Sequence, residues 1–269
     1  MPKATHVAMI GGGAMGGAIA EGLVSLDAVD VTIVEADPER AQWWRERGDV
    51  RLADLADAVS DADVVFLAVK PHQIIDTLHS VKDHLPHHVV VVSIAAGITV
   101  AAMEKELPAG MAVIRTMPNT PVRVGKGVVG LSAGSACSPE DVDLVRTLLS
   151  SVSLVVLIEE ELLDSLTATS GSGPAYLFYL AEAMKLGAMD LGLSEETANA
   201  LVAHTLAGAA ELLLAEPDRA EELRASVTSK GGTTAAATAV FDESDVRGIV
   251  VKAMQANRDR AREMAAEAN

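Results

Sequence analysis

Apolar residues fall into short β-branched runs in the first half of the chain and into longer helix-period stripes in the second. Runs over 6–10, 31–35, 64–69, 89–94, 112–116, 128–132 and 154–158 have the length and composition of strands. Between them lie helix-period segments over 14–25, 38–47, 71–84, 100–106 and 139–149, several opened by Pro or by a capping Ser, Thr or Asp. Near-continuous apolar strands alternating with helices predict βαβ units and a mostly parallel, doubly wound sheet covered on both faces. Beyond residue 162 the strand pattern stops, and helical segments take over across 175–191, 194–215, 220–226, 233–241 and 244–266. The expectation is therefore an α/β domain over 1–162 and an all-helical domain over 163–269. Helical stretches that are apolar all round, such as 200–214, bury against other helices, and part of that surface is expected to meet another subunit.

The chemistry begins where the first strand ends. Gly11, Gly13 and Gly16 form G-x-G-x-x-G directly after that strand and at the opening of a helix. The first glycine permits a tight turn, the second lets the backbone approach a pyrophosphate, and the third allows close packing of helix on strand. This places a dinucleotide on a Rossmann-like domain. Glu35 ends the second strand, 19 positions beyond Gly16, where a carboxylate accepts from a ribose 2′-hydroxyl and repels a 2′-phosphate. Taken alone it favours NADH over NADPH; Arg40 lies near enough to reach a phosphate if Glu35 turns away. Two more strand ends run into Ala68-Val69-Lys70-Pro71 and Arg115-Thr116-Met117-Pro118-Asn119-Thr120-Pro121. The second is a proline-punctuated loop that reads either as a holder of the nicotinamide amide, through Asn119 and Thr120, or as a plain turn. In the helical half, Ser170–Ala175 and Val227–Thr234 each put hydroxyls and free N–H groups at a helix start, which suits a small carboxylate or serves only as a cap.

Charge narrows the range of partners. With 21 basic against 38 acidic residues the net charge is −17, which repels nucleic acid and anionic membranes. Cys137 is the single cysteine, so no internal disulfide forms, as suits a reducing cytoplasm. Residues 1–23 imitate a leader, with Lys3 before an apolar stretch, but five glycines interrupt it. The longest weakly polar run, 89–103, is shorter than the roughly 20 residues that span a bilayer, so no membrane segment is expected. The histidines over 84–88 fall in a turn with no second cluster, and no metal is expected.

Taken in order and spacing, the segments 10–19, 68–71, 93–98, 117–121, 170–176 and 227–234 resemble those of the pyrroline-5-carboxylate reductase family over nearly the whole chain. The resemblance implies an N-terminal Rossmann domain, a C-terminal helical dimerisation domain, and reduction of L-1-pyrroline-5-carboxylate to L-proline by NADPH or NADH in a cytoplasmic homodimer or larger homo-oligomer. It also implies site residues. Gly11, Gly13, Ala14, Met15 and Gly16 meet the cofactor phosphates, and Lys70, Asn119, Ala95, Ala96 and Gly97 line the nicotinamide half. Ser229, Gly231, Gly232 and Thr233 hold the substrate carboxylate, and Thr234 places its hydroxyl near the imine nitrogen. Two positions depart from the pattern: Lys230 stands where the family has Pro, and Glu216 is about one residue out of step with a family acid. Two rival readings remain, a β-hydroxyacid dehydrogenase with Lys185 as its base, and a dinucleotide sensor without turnover.

Overall fold

The computed structural model describes residues 4–268; Lys3 of the leader-like pattern lies outside them. Eight strands form one sheet: β1 Thr5–Ile10, β2 Val29–Val34, β3 Arg51–Leu52, β4 Val64–Leu67, β5 Val90–Ser93, β6 Ala112–Pro118, β7 Gly127–Ala133 and β8 Ser153–Leu157. Their spatial order is β3-β2-β1-β4-β5-β6-β7-β8. Every pairing is parallel except β6 with β7, whose eight-residue connection, a 3₁₀ turn at Thr120–Val124 included, is too short for a crossover. The short pair formed by β3 and the helix Leu55–Val59 went unseen in the sequence, because two strand residues and five helical ones carry no readable period.

Both faces of the sheet are buried, which is why its central strands are apolar at successive positions. Along β1, Val7 and Met9 enter one core while Ala8 and Ile10 enter the other; β4 sends Val64 and Phe66 one way, Val65 and Leu67 the other. The first core is closed by α1 (Ala14–Val24), α2 (Pro38–Arg47) and α6 (Pro139–Leu149). The second is closed by α3 (Leu55–Val59), α4 (Ile74–Val81) and α5 (Val100–Glu104). At about 25 cal/mol per Å² of apolar surface, each fully buried Val, Leu or Ile contributes roughly 1.5–3 kcal/mol toward this sandwich.

The chain forms two compact units. One comprises residues up to Ser172 together with those from Asn257 onward; the other is Gly173–Ala256. The boundary therefore differs from the expected 162/163 split. α7 (Leu163–Leu166) and the π-helical turn Thr167–Gly171 belong with the sheet, where Leu163 and Ala168 are buried. Arg115, 7% exposed in the middle of β6, anchors this region through Glu160 at 3.0 Å, and the same carboxylate oxygen accepts the Val100 N–H at 2.8 Å.

The second unit is built from α8 (Gly173–Asp190), α9 (Glu195–Ala215), α10 (Ala220–Ser226), α11 (Thr233–Glu243) and the first part of α12 (Val246–Ala268). Among its described apolar residues only Ala198 and Val202 are buried, while Leu177, Phe178, Leu213 and Phe241 are exposed. One described helix, α9, is long and apolar enough to cross a membrane by length and composition alone, a character that the pattern of weakly polar runs hides because Asn199, His204, Thr205 and Glu211 interrupt it.

Candidate functional site

In an open α/β sheet, ligands bind beyond the carboxyl ends of the strands where the strand order reverses. Here that point lies between β1 and β4, and a cavity of about 690 Å³ opens there. The β1–α1 turn contributes Gly11, Gly13, Ala14 and Met15 to its wall. The segment after β2 and the first turn of α2 add Glu35, Asp37 and Arg40. The segment after β4 adds Lys70 and Gln73, that after β5 adds Ala95 and Ala96, and β6 ends in Met117 and Pro118. Eight of the residues expected to touch a dinucleotide thus share one cavity: Gly11, Gly13, Ala14, Met15, Glu35, Lys70, Ala95 and Ala96.

The glycine turn has the shape its residues require. Gly11 has φ +105°, and a Cβ there would lie 2.6 Å from the Ala68 carbonyl oxygen. A Cβ on Gly16 would meet the Gly11 oxygen at 2.2 Å, so Gly16 sets the distance between α1 and β1 from beneath, outside the cavity wall. Around Gly13, by contrast, nothing stands within 4 Å. That open space lies at the start of α1, whose N-cap carries no side-chain hydrogen bond and whose first turn carries no acid. Elsewhere Asp37, Asp54, Thr99 and Ser138 cap helix starts with their own oxygens. A free N-terminus with room at its glycine fits a pyrophosphate.

Glu35 does not turn away. Its side chain is 5% exposed, Oε1 accepts the Asp37 N–H at 2.8 Å, and Oε2 accepts the Gly12 N–H at 3.0 Å while facing Arg40 Nε at 3.2 Å. A carboxylate offers about four lone-pair positions, so these three contacts leave capacity for one more acceptor bond, and Glu35 lines the cavity. Asp37 also accepts the Glu39 and Arg40 N–H groups, and the Arg40 interaction is the first of the causes holding its carboxyl below the usual range. Asp37 and Gln73 were not singled out in the sequence; the Asp-Pro step capping α2 was the available signal for the first.

Gly97 and Asn119 lie apart from this wall. Gly97, with φ +83°, shapes the turn after β5 and borders a separate cavity of about 190 Å³ with Arg115 and Asn257. Asn119 is 6% exposed and its amide is committed to the protein: Nδ2 donates to the Ser170 carbonyl at 2.9 Å and Oδ1 accepts the Val128 N–H at 2.9 Å. Its side chain ties the loop after β6 to β7 and to the π-helical turn.

The residues expected on the substrate side form one turn in the second unit. The Gly232 N–H donates to the Ser229 carbonyl at 3.0 Å, Gly231 has φ +73°, and Gly232 is the N-cap of α11 without a side-chain cap. With Lys230 outside the positive-φ set, this is a type II turn, in which Pro is the favoured second residue. Lys230 therefore keeps the turn but gives up the rigidity Pro would add, and it is exposed. Thr233 and Thr234 open α11. Glu216 ends α9 and pairs with Arg219. Lys185 pairs with Glu195 at 2.7 Å, an ordinary surface ion pair. Among the described residues no cluster of three potential metal ligands occurs.

The doubly wound sheet, its uncapped glycine turn and the acid at the end of β2 define a dinucleotide-binding oxidoreductase. The model described as "Pyrroline-5-carboxylate reductase dimerisation" matches residues 160–264, and one described as "NADP oxidoreductase coenzyme F420-dependent" matches 6–97. A pyrroline-5-carboxylate reductase of Corynebacterium melassecola is 40% identical, covering 97% of this chain and 98% of its own. One of Mycobacterium tuberculosis is 36% identical over 96% of each. The structure of the Coxiella burnetii enzyme superposes with a TM-score of 0.92 at 34% identity, covering 97% of this chain and 99% of its own. The chain belongs to the pyrroline-5-carboxylate reductase family.

Proposed function

We infer that the protein reduces the cyclic imine L-1-pyrroline-5-carboxylate to L-proline with NADPH or NADH, the closing step of proline biosynthesis. The observation that carries this reading is full-length similarity to reductases of that name in a chain whose glycine turn and cavity fit a dinucleotide. When bound, the dihydronicotinamide supplies a hydride to the imine carbon. An iminium is already electrophilic, so the chain chiefly has to align the reactants and exclude water.

Each site residue then has its own task. The N–H groups of Gly13, Ala14 and Met15 hold the pyrophosphate, with Gly11 and Gly16 shaping the turn. Glu35 offers its open lone pair to the adenosine ribose and sets a preference for NADH, since Arg40 is held by Glu35 and Asp37. Ala95, Ala96 and Lys70 border the nicotinamide half, while Gly97 and Asn119 act by holding the backbone around it. Ser229, Gly231, Gly232 and Thr233 bind the substrate carboxylate through the turn and the free N-terminus of α11. Thr234 directs its hydroxyl to the ring nitrogen.

The protein works as a homo-oligomer with a dimer as its minimal unit, for which the exposed apolar residues of α8, α9 and α11 and the dimerisation match provide the surface. That surface also accounts for the apolar character of α9 without a bilayer. A cytoplasmic location is supported by the lone thiol of Cys137, which suits a reducing compartment. The test is loss of dihydronicotinamide absorbance with pyrroline-5-carboxylate and each dinucleotide, in low and in molar salt. Turnover with NADH ahead of NADPH supports both the function and the role of Glu35, NADPH alone overturns the preference, and no turnover with either overturns the function. Thr234→Ala is expected to lower kcat by roughly 10–100-fold, about 1.4 kcal/mol per decade; unchanged turnover removes its role.

A further inference from the structure

Gly12 is the buried residue of the glycine turn, and both of its backbone polar groups are held by side chains from elsewhere in the chain. Its N–H donates to Glu35 Oε2 at 3.0 Å, and its carbonyl accepts from the Trp44 indole Nε1–H at 3.1 Å. Those partners lie 23 and 32 positions away, on β2's end and on α2. The Gly12 carbonyl and the Gly13 N–H belong to one peptide unit, and in a planar trans unit the two point in opposite directions. With the carbonyl turned inward to Trp44, the Gly13 N–H is turned outward, and Gly13 lines the cavity.

We propose that Trp44 is a positioning residue for dinucleotide binding, its indole N–H holding the Gly12–Gly13 peptide so that the Gly13 N–H faces the cofactor's pyrophosphate. The fit leaves no slack: a Cβ on Gly12 would lie 2.6 Å from Trp44 Nε1, and one on Gly17 would lie 3.1 Å from Trp44 Cζ2. Trp44 is 1% exposed, whereas its neighbour Trp43 is 47% exposed, edge-on at 4.8 Å between centroids and under the Arg47 guanidinium. Removing the indole N–H leaves the Gly12 carbonyl buried without a donor, and the peptide then gains by rotating toward water in the cavity, which turns the Gly13 N–H away. The inference rests on the reading of the cavity as a dinucleotide site.

The test uses Trp44→Phe and, to keep the bicyclic shape, β-(3-benzothienyl)alanine at position 44, which puts sulfur where the N–H was. Calorimetry without imine is expected to show NADH bound about tenfold more weakly by both variants, about 1.4 kcal/mol, with adenosine, which lacks the pyrophosphate, bound as before. In turnover the dinucleotide KM rises about tenfold while the imine KM and kcat at saturation stay within about twofold. Trp43→Phe leaves all of these unchanged. A benzothienyl variant that binds NADH as tightly as the parent, or a parallel loss of adenosine binding, overturns the proposal. A parent chain that binds neither dinucleotide removes the functional reading and this inference with it; a binding parent with an unchanged variant overturns this inference alone.

Discussion

Glu35→Gln separates the hydrogen bonding that Glu35 performs in the turn from the cofactor selection proposed for it. Both oxygens of the native carboxylate accept backbone N–H groups, Oε1 from Asp37 and Oε2 from Gly12, so an amide of the same shape must present its NH₂ to one of them. One buried N–H then faces a donor and goes without a partner, at roughly 1–3 kcal/mol, while the other bond loses its charge assistance. The Arg40 contact adds little, since that guanidinium is 53% exposed. A total of about 2–3 kcal/mol corresponds to a fall in Tm of about 4–12 °C for a chain of this size. Selectivity moves in the opposite sense to stability. Removing the carboxylate charge relieves its repulsion of a 2′-phosphate and takes away one of the two acids that hold Arg40, leaving Asp37 at 3.6 Å. Two unit charges about 4 Å apart interact by roughly 4 kcal/mol at an effective dielectric of 20, and screening at the cavity mouth reduces this to about 1.4–2.8 kcal/mol. The ratio of kcat/KM for NADPH to that for NADH is therefore expected to rise about 10–100-fold. Thermal unfolding and steady-state kinetics with each dinucleotide measure the two effects separately. A variant with parental Tm refutes the hydrogen-bond argument, and an unchanged ratio refutes the assignment of Glu35 to the ribose.

Gly16→Ala is expected to weaken NADH binding at least tenfold and to destabilise the fold by roughly 1–3 kcal/mol, because the new methyl meets the Gly11 carbonyl at 2.2 Å, a backbone atom that cannot swing aside. Calorimetry and thermal unfolding report both effects, and parental binding refutes the close-packing role. Burial, ahead of its other influences, pushes the Cys137 thiol above its usual range. The folded chain therefore keeps a proton that the unfolded chain loses, so this group's contribution to stability is present below the ordinary thiol value of about 8.5 and declines as pH rises past it. Labelling with a disulfide reagent at pH 8 should be slower in the native state than in urea, since the thiol is half-buried; equal rates refute that shielding.

What the amino-acid order determined by itself is whatever depends on local period and local backbone freedom. The apolar runs at 6–10, 64–69 and 89–94 specify strands buried on both faces, and Asp37-Pro38 and Ser138-Pro139 specify helix starts, because a strand's two faces and a helix's cap are set within a few residues. Gly11, Gly13 and Gly16 likewise predict the turn and its anion-binding helix end. The tertiary structure alone decided which side chains complete that turn. Glu35 and Trp44 reach Gly12 across 23 and 32 positions, and adjacent Trp43 and Trp44 differ only in which of them the crossing of α2 over the sheet turns inward. Asn119 looks free in the sequence, yet it spends both ends of its amide on Ser170 and Val128, because a buried polar group takes whatever partners packing brings to it. The unit boundary at Ser172 was illegible for a related reason: the stretch from Leu163 to Ser172 shares its helical pattern with α8, and only burial against β7 and the Arg115–Glu160 anchor assign it to the sheet.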